Sequence, residues 1–382
     1  MSAALPPQAY AAALAAFERM SVHRLWAMLR HHSSEQAFAI ASGHEPAPAG
    51  SLIHRILHDD PTLRHTWRAS AQRHLPERVW QRCVELDLEV SVLGDAAHPL
   101  ACALDPLPAP VLFSRGDRHL LSGRRVALVG TRNATAAGRH VARTFGRELA
   151  EAGVHVVSGL ARGIDGYAHR GVLEASAECD HPGLPIAVVA SGLDVVYPSE
   201  HRQLWQQVGH VGLLLSEHPP GVAPVAYHFP LRNRLVASLA EIVVVVESRE
   251  RGGSLITATA AAERGVPVMA VPGHVASRAA VGANGLLREG AAPAIDVDDI
   301  LIALQLDHTR SATILSERRP TPRPGDLPVY AACREQPCTI GELALRSERP
   351  LLEVAMSLVR LERDGWLAQA DGWFEVLGSP PA

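Results

Sequence analysis

Residues 125–133 read Arg125-Val126-Ala127-Leu128-Val129-Gly130-Thr131-Arg132-Asn133, a short apolar run that stops at a glycine and leads into a helical stretch containing Gly138. A run of this length, bounded by a turn residue, is a strand. The same unit recurs outward from it, with further runs at Val154 to Val157, Ile186 to Ala190, Leu213 to Leu215, Ile242 to Glu247 and Val266 to Val271. Strands alternating with helices at this spacing predict an α/β fold, with a doubly wound, mostly parallel sheet covered by helices on both faces. Ile242 to Val246 is apolar throughout, as a central strand buried on both sides must be.

The flanks have other textures. From 1 to about 90, apolar residues recur at helical spacing (Leu14, Phe17, Leu25, Leu29, Phe38) and break at the Gly43 to Gly50 stretch, so a small all-helical domain is expected. The proline-rich stretch His98 to Pro110 reads as a connector laid along its neighbour. The middle domain, 91–306, is Rossmann-like. Residues 307–326, with Arg318, Arg319 and Arg323 among prolines, read as a linker. In the tail, 327–382, Thr339 can cap a short helix ending near Leu345, and Pro350 to Arg363 reads as a second, amphipathic helix. Trp366 to Val376 alternates around Asp371-Gly372 like a hairpin. Helix, turn, helix, hairpin is the outline of a winged helix.

The chain has 382 residues, 47% hydrophobic and 20% charged, enough for a sizeable core plus smaller domains. All 36 of its basic Lys+Arg residues are arginine. Without lysine, a Walker A loop, a pyridoxal enzyme and a Schiff-base aldolase are excluded. The formal net charge of −4 argues against a generally basic DNA-coating protein but allows a local basic site. Anion binding must then come from placed arginines, backbone amides and some of the 20 histidines. The five scattered cysteines suit a reducing compartment. Met1 to Met20 carries Glu18 and Arg19, and is expected to be the first helix of a soluble cytoplasmic protein rather than a signal peptide. No apolar run approaches the roughly 20 residues of a membrane helix.

In an open parallel sheet the carboxyl ends of the strands share one edge, where ligands bind, so motifs that follow strands become neighbours. Gly130-Thr131-Arg132-Asn133 follows the first strand and is not GxGxxG, which argues against a dinucleotide. Its glycine and the next helix N-terminus suit an anion. Ser158-Gly159-Leu160-Ala161-Arg162-Gly163-Ile164-Asp165 follows the second strand, and Ser191-Gly192-Leu193-Asp194 with Tyr197-Pro198 the third. Phe229-Pro230-Leu231-Arg232-Asn233-Arg234 and Arg251-Gly252-Gly253-Ser254-Leu255-Ile256-Thr257 complete the set. Arginine grips phosphate with a planar fork and keeps its charge in a cleft, so several around one crevice point to a polyphosphate or nucleic-acid track. Asp165 and Asp194 lack a nucleophile or partner carboxylate and read as caps or arginine-orienting groups rather than catalytic acids. Glu247 reads as a tether for Arg251 or a backbone amide. His54 and His58 have zinc-like spacing without a further ligand pattern and read as a solvated face.

The ordered series of these motifs, with Ser216-Glu217, Pro219-Pro220-Gly221 and Val271-Pro272-Gly273 between and after them, resembles the DprA/Smf family of DNA-processing proteins over roughly 90 to 305. The resemblance implies a sterile-alpha-motif-like N-terminal domain, a winged-helix C-terminal domain, and a homodimer that binds and protects single-stranded DNA. It also implies loading of the RecA recombinase during natural transformation, with no catalytic residues and no cofactor or metal. Carried over by motif, Arg132, Arg162, Arg232 and Arg234 contact phosphates, Phe229 stacks on a base and Asn233 hydrogen-bonds nearby. The candidate DNA-binding set also includes Gly130, Thr131, Ser158, Gly159, Gly163, Arg251, Gly253 and Ser254. Relatives often carry lysine where Arg251 and the region Ala226 to His228 stand here, and serine where Gly252 stands. Two other readings compete. A nucleotide phosphoribohydrolase resembling the lysine-decarboxylase-like family needs a glutamate after the glycine-rich stretch, and Ala258-Thr259-Ala260-Ala261 supplies none. A duplex-DNA regulator would need base-reading residues on the helix from Pro350 to Arg363, which is rich in leucine and glutamate instead.

Overall fold

The structure, a computed structural model, describes residues 4–304, 320–336, 338–370 and 372–377. Six helices open the chain: α1 (Pro7–Ala15), α2 (Val22–Leu29), α3 (Ser34–Ser42), α4 (Leu52–Asp59), α5 (Thr62–Arg73) and α6 (Pro76–Glu85). Strands β1 (Glu89–Val92) and β2 (Val111–Gly116) follow, joined through the four-residue helix α7 (Leu100–Ala103). Then comes the predicted alternation: β3 (Arg125–Val129), α8 (Ala136–Glu151), β4 (His155–Ser158), α9 (Ile164–Glu178), β5 (Pro185–Val188), α10 (Arg202–Val211) and β6 (Leu213–Ser216). It continues with α11 (His228–Ser238), β7 (Ile242–Val245), α12 (Gly253–Ala262), β8 (Val268–Ala270), α13 (Val281–Arg288), β9 (Ala292–Pro293) and α14 (Val297–Ala303).

These strands form one nine-stranded sheet in the order β1-β2-β6-β5-β4-β3-β7-β8-β9. From β6 to β9 every pairing is parallel, while β1 and β2 add an antiparallel edge. The six strands expected from the sequence are present, with ends shifted by a few residues. Three were not expected: β1 lies at the end of a helical segment, β2 follows the prolines, and β9 is too short to carry a pattern. The connector between His98 and Pro110 joins the paired strands β1 and β2 and holds α7.

Alternation along each strand sends its side chains to two cores. Ala127, Val129, Val243 and Val245 pack with Leu235, Val236 and Ala258 on the α11–α12 face. Val126, Leu128, Ile242 and Val244 pack with Phe145, Leu149 and Val172 on the α8–α9 face. Strand β7 is therefore buried on both sides, as its unbroken apolar run requires. The N-terminal helices share a continuous core with the sheet, in which Leu14, Phe17, Trp67 and Cys83 join Val90, Phe113, Leu160 and Trp205. The boundary expected at residue 90 thus falls inside β1.

Helices α8 and α9 cross unusually closely because glycines face each other's backbone. A Cβ on Gly171 would overlap the carbonyl oxygen of Arg143, and one on Gly146 that of Ala168. Neither backbone can yield without separating both helices from the sheet. Gly171→Ala is expected to lower stability by about 1–3 kcal/mol, the cost of overpacking a filled interface. Urea midpoints against the parent chain check it.

The C-terminal segment has its own core. It contains α15 (Leu327–Glu335), β10 (Cys338–Thr339), α16 (Ile340–Arg346), α17 (Leu351–Arg363), β11 (Leu367–Ala370) and β12 (Trp373–Val376), packed around Val329, Leu343, Leu358, Leu361 and Trp366. Thr339 caps α16 as expected, in a capping box with Glu342. The expected hairpin forms between β11 and β12, with β10 completing a three-stranded antiparallel sheet. Helix α15 was not expected. Most of the expected linker, including Arg318 and Arg319, lies outside the described residues. Its described end is tied down: Trp366 donates to the Pro320 carbonyl at 2.9 Å and Arg360 pairs with Asp326. Among the described residues no helix is long and apolar enough to cross a membrane.

Candidate nucleic-acid interface

The chain winds from β3 through β4 and β5 to β6, then returns to add β7 on the other side of β3. That reversal leaves a crevice beyond the carboxyl ends of β3 and β7, the place where doubly wound sheets hold ligands. A cleft of about 660 Å³ opens there. Five separate segments line it: Val129 to Asn133 at the end of β3, Gly159, Ala161 and Asp165 after β4, Tyr197 after β5, the approach to α11 and its first turns, and residues between Arg249 and Thr257 after β7. Backbone hydrogen bonds stitch these loops together, from Thr131 N to the Glu247 carbonyl at 2.8 Å and from Ile164 N to the Thr131 carbonyl at 3.3 Å.

At the mouth, cations and aromatic rings share one wall. Phe229 is half-buried at the start of α11, and the Arg132 guanidinium lies over its ring at 4.6 Å from the centroid. Tyr197 stands beside it, 43% exposed, with ring centroids 5.4 Å apart. Arg249 and Arg251 line the same cleft and are exposed. Asn233 lines the cleft and donates to the Gly253 carbonyl at 3.4 Å. Ser254 reaches Ser248 across the first turn of α12 at 2.9 Å. Gly253, exposed, meets nothing within contact distance on its open side.

Other candidates are placed differently. Arg232 lies in the cleft floor, only 5% exposed, with its guanidinium flat against Gly159 and donating to the Val188 carbonyl. A Cβ on Gly159 would occupy the guanidinium's space, which explains the glycine better than ligand approach does. Burial pulls the Arg232 pKa down to about 10, with Asp165 opposing, so it stays cationic at neutral pH. Burial pushes the Asp165 carboxyl up, and Arg232 and the amides of Ala161 and Gly159 oppose that. Asp165 accepts from Gly159 N at 3.1 Å and so orients the loop.

Arg234 faces away from the cleft into a buried ion pair with Glu217. Arg162 is exposed at the rim and paired with Glu200. Ser158 is buried, donating to the Leu128 carbonyl at 2.6 Å. Gly130 and Gly163 fit against neighbouring loop atoms, Ile164 for the first and the Thr131 carbonyl for the second. The N-terminus of α8, expected to offer amides to a bound anion, already meets the chain's own Glu247. That carboxylate accepts from the Thr135 amide at 3.0 Å and from its hydroxyl. Glu247 is thus a backbone tether, to Thr135 rather than to Arg251.

Histidine adds no charge beside the cleft. His228 begins α11 and stacks on His218 with centroids 3.9 Å apart; burial lowers both, His218 to about 3, so this pair is neutral at pH 7. Tyr197 and Arg249 are among the lining residues that were not candidates. The tyrosine was legible as Tyr-Pro after a strand end, whereas nothing in the sequence distinguishes Arg249 from other surface arginines. Ala226, in the region where the family resemblance implied a lysine, lines the cleft wall.

Comparison with known proteins adds independent findings. Residues 89–305 match the family described as DNA recombination-mediator protein A. The DNA processing protein DprA of Bacillus subtilis is 43% identical over 194 residues, which are 50% of this chain and 63% of that one. The alignment thus spans less than two thirds of that relative. The X-ray structure of DNA processing protein A from Streptococcus pneumoniae superposes with a TM-score of 0.58 at 28% identity, covering 75% of this chain and 98% of that one. A Helicobacter pylori DNA processing protein A, whose structure is described in terms of its single-stranded DNA binding mode, gives a TM-score of 0.50 at 29% identity over 57% of this chain and 96% of that one.

Proposed function

Because the chain belongs to the DNA recombination-mediator protein A family, we propose that its arginine-lined cleft binds single-stranded DNA and passes that strand to the RecA recombinase. The observation that carries the reading is the cleft lining, where the Arg132 guanidinium lies over the Phe229 ring, Tyr197 stands beside that ring, and Arg249 and Arg251 line the same cleft. Cations along a groove hold a phosphate backbone, and rings stack on any base, a pairing suited to a single strand of arbitrary sequence. A duplex hides its base faces and gains nothing from the rings.

The assignment makes the protein a binding mediator rather than an enzyme. In this reading Arg132 leaves Phe229 for a phosphate as a base takes its place on the ring. Arg249 and Arg251 continue the track, Asn233 and Ser254 fix its wall, and Arg232 supplies a positive floor. Protection of incoming strands in natural transformation, homodimerisation and a cytoplasmic setting belong to the same proposal. So do a sterile-alpha-motif-like N-terminal unit and a winged-helix C-terminal unit. Adding the protein to a single strand is expected to speed recombinase filament formation.

Arg132→Ala tests the track. Losing one phosphate contact is expected to weaken binding and reduce the slope of log K against log salt by about 0.7. Fluorescence anisotropy at several salt concentrations reads both, and an unchanged slope removes Arg132 from the phosphate path.

A further inference from the structure

Among the described residues, helix α17 presents an unpartnered apolar stripe to solvent. Leu352, Met356 and Val359 are 77%, 53% and 63% exposed, while Val354, Leu358 and Leu361 on the other face fill the C-terminal core. The stripe occupies the helix that would enter a major groove if this segment read duplex DNA. Its chemistry opposes that role, since residues 320–377 hold six arginines against nine acidic residues, a net charge of −3. Apolar side chains at this spacing form the contact face of a helix pair.

The charges beside the stripe indicate which helix. Arg349, Glu353, Arg360 and Asp364 are separated by four, seven and four residues, which places them on one flank of α17 and its two ends. The spacing reads the same in both directions, while the signs, plus, minus, plus, minus, invert on reversal. A second copy laid antiparallel therefore sets Arg349 against Asp364 and Glu353 against Arg360, twice each, with Met356 near the two-fold axis. A parallel copy turns these two flanks to opposite sides of the contact and forms none of these pairs. Within one chain Arg360 holds Asp326, Arg349 lies 3.8 Å from Glu353, and Asp364 accepts from Arg363. The mate's charges extend these pairs rather than replace them.

We propose that α17 is an interaction surface for a second copy of this chain, docked as an antiparallel, two-fold helix pair through Leu352, Met356 and Val359. A single pair of this length buries less than the ~1,200 Å² total of stable complexes, so the contact is weak between free molecules. It becomes populated where copies are held side by side, because tethering raises the effective concentration to the order of millimolar. The inference does not depend on what the cleft binds.

Cysteine scanning of the full chain, in a Cys179→Ser background, tests the geometry. The other four native cysteines are buried. In the antiparallel register, position 356 meets its mate across the axis, and Met356→Cys is expected to yield a disulfide-linked dimer under mild oxidation. Position 352 lies about 13 Å along the axis from its mate, at 1.5 Å per residue, beyond disulfide reach, so Leu352→Cys stays unlinked. Met356→Arg is expected to abolish the self-association that sedimentation detects at high protein concentration; the side chain is exposed, so the fold is retained. Absence of a Met356→Cys dimer overturns the proposal. So does equal linking at Leu352→Cys, or association that Met356→Arg leaves intact, which would assign the contact to another face or partner.

Discussion

Replacing Arg234 by alanine is expected to cost about 3–5 kcal/mol of folding stability, the penalty for leaving a buried charge without its partner, and to leave the salt dependence of DNA binding unchanged. Arg234 and Glu217 are both almost fully buried and in direct contact. Beside them Arg264 grips Asp105 with two hydrogen bonds, of 2.6 and 2.8 Å, and both pairs lie around the Cys102 thiol, which burial pushes up to about 12. One pair fastens the proline-rich connector to the end of α12, and the other fastens α11, the helix that carries Phe229 and Arg232, to the end of β6. The sequence motif put Arg234 among the phosphate ligands; its burial makes it a brace for that helix.

The pH dependence has a definite sign. Burial raises the Glu217 carboxyl, with Arg234 opposing. A raised folded-state pKa means that the folded chain holds more protons than the unfolded chain between the two values, so stability falls as pH rises through that window. Without Arg234 the window widens upward. The penalty in Arg234→Ala should therefore be largest near neutral pH and partly relieved on acidification, as urea midpoints across pH 5 to 8 would register. Arg234→Met combined with Glu217→Leu is expected to recover most of the loss, because an apolar pair of similar volume removes both charges together. Unchanged stability with a reduced salt slope would instead return Arg234 to the phosphate path.

Phe229→Ala carries the largest expected effect on binding. Stacking contributes about 1–3 kcal/mol per base, so the dissociation constant for a single strand should rise roughly 5- to 150-fold. The ring meets both the Arg132 guanidinium and Tyr197, and its removal takes away the platform without removing a charge. The salt slope should therefore stay at its parent value, the opposite signature to Arg132→Ala. Phe229→Trp, which keeps a flat ring, should retain most of the affinity. Anisotropy titrations with a labelled single strand separate these outcomes, and an unaffected dissociation constant in Phe229→Ala would remove stacking from the mechanism.

Much of the fold is legible in the sequence because its signals are local. The apolar runs at Arg125 to Val129 and Ile242 to Val246 announce buried parallel strands, and the Thr339 cap announces α16. The edge strands β1 and β2 are not legible, because four to six residues beside a helical segment and a run of prolines carry no distinctive period. The site divides in the same way. Motifs placed Arg132, Phe229, Asn233 and Arg251 at one sheet edge, since strand ends in a parallel sheet converge. Motifs could not say which of two arginines, 232 and 234, turns toward the cleft, because positions two apart on a helix point to different sides and burial decides the partner. The absence of lysine acquires a narrower meaning as well. With His218 and His228 held neutral, positive charge at the mouth comes from Arg132, Arg249 and Arg251.

The most direct test of the central claim is a pair of anisotropy titrations of the full chain, with a labelled single strand and with the matching duplex, each repeated over a range of salt. The cleft described above predicts tighter binding to the single strand, with log K falling linearly in log salt by about 0.7 per phosphate contacted. Preference for the duplex, or single-strand binding indifferent to salt, would contradict it.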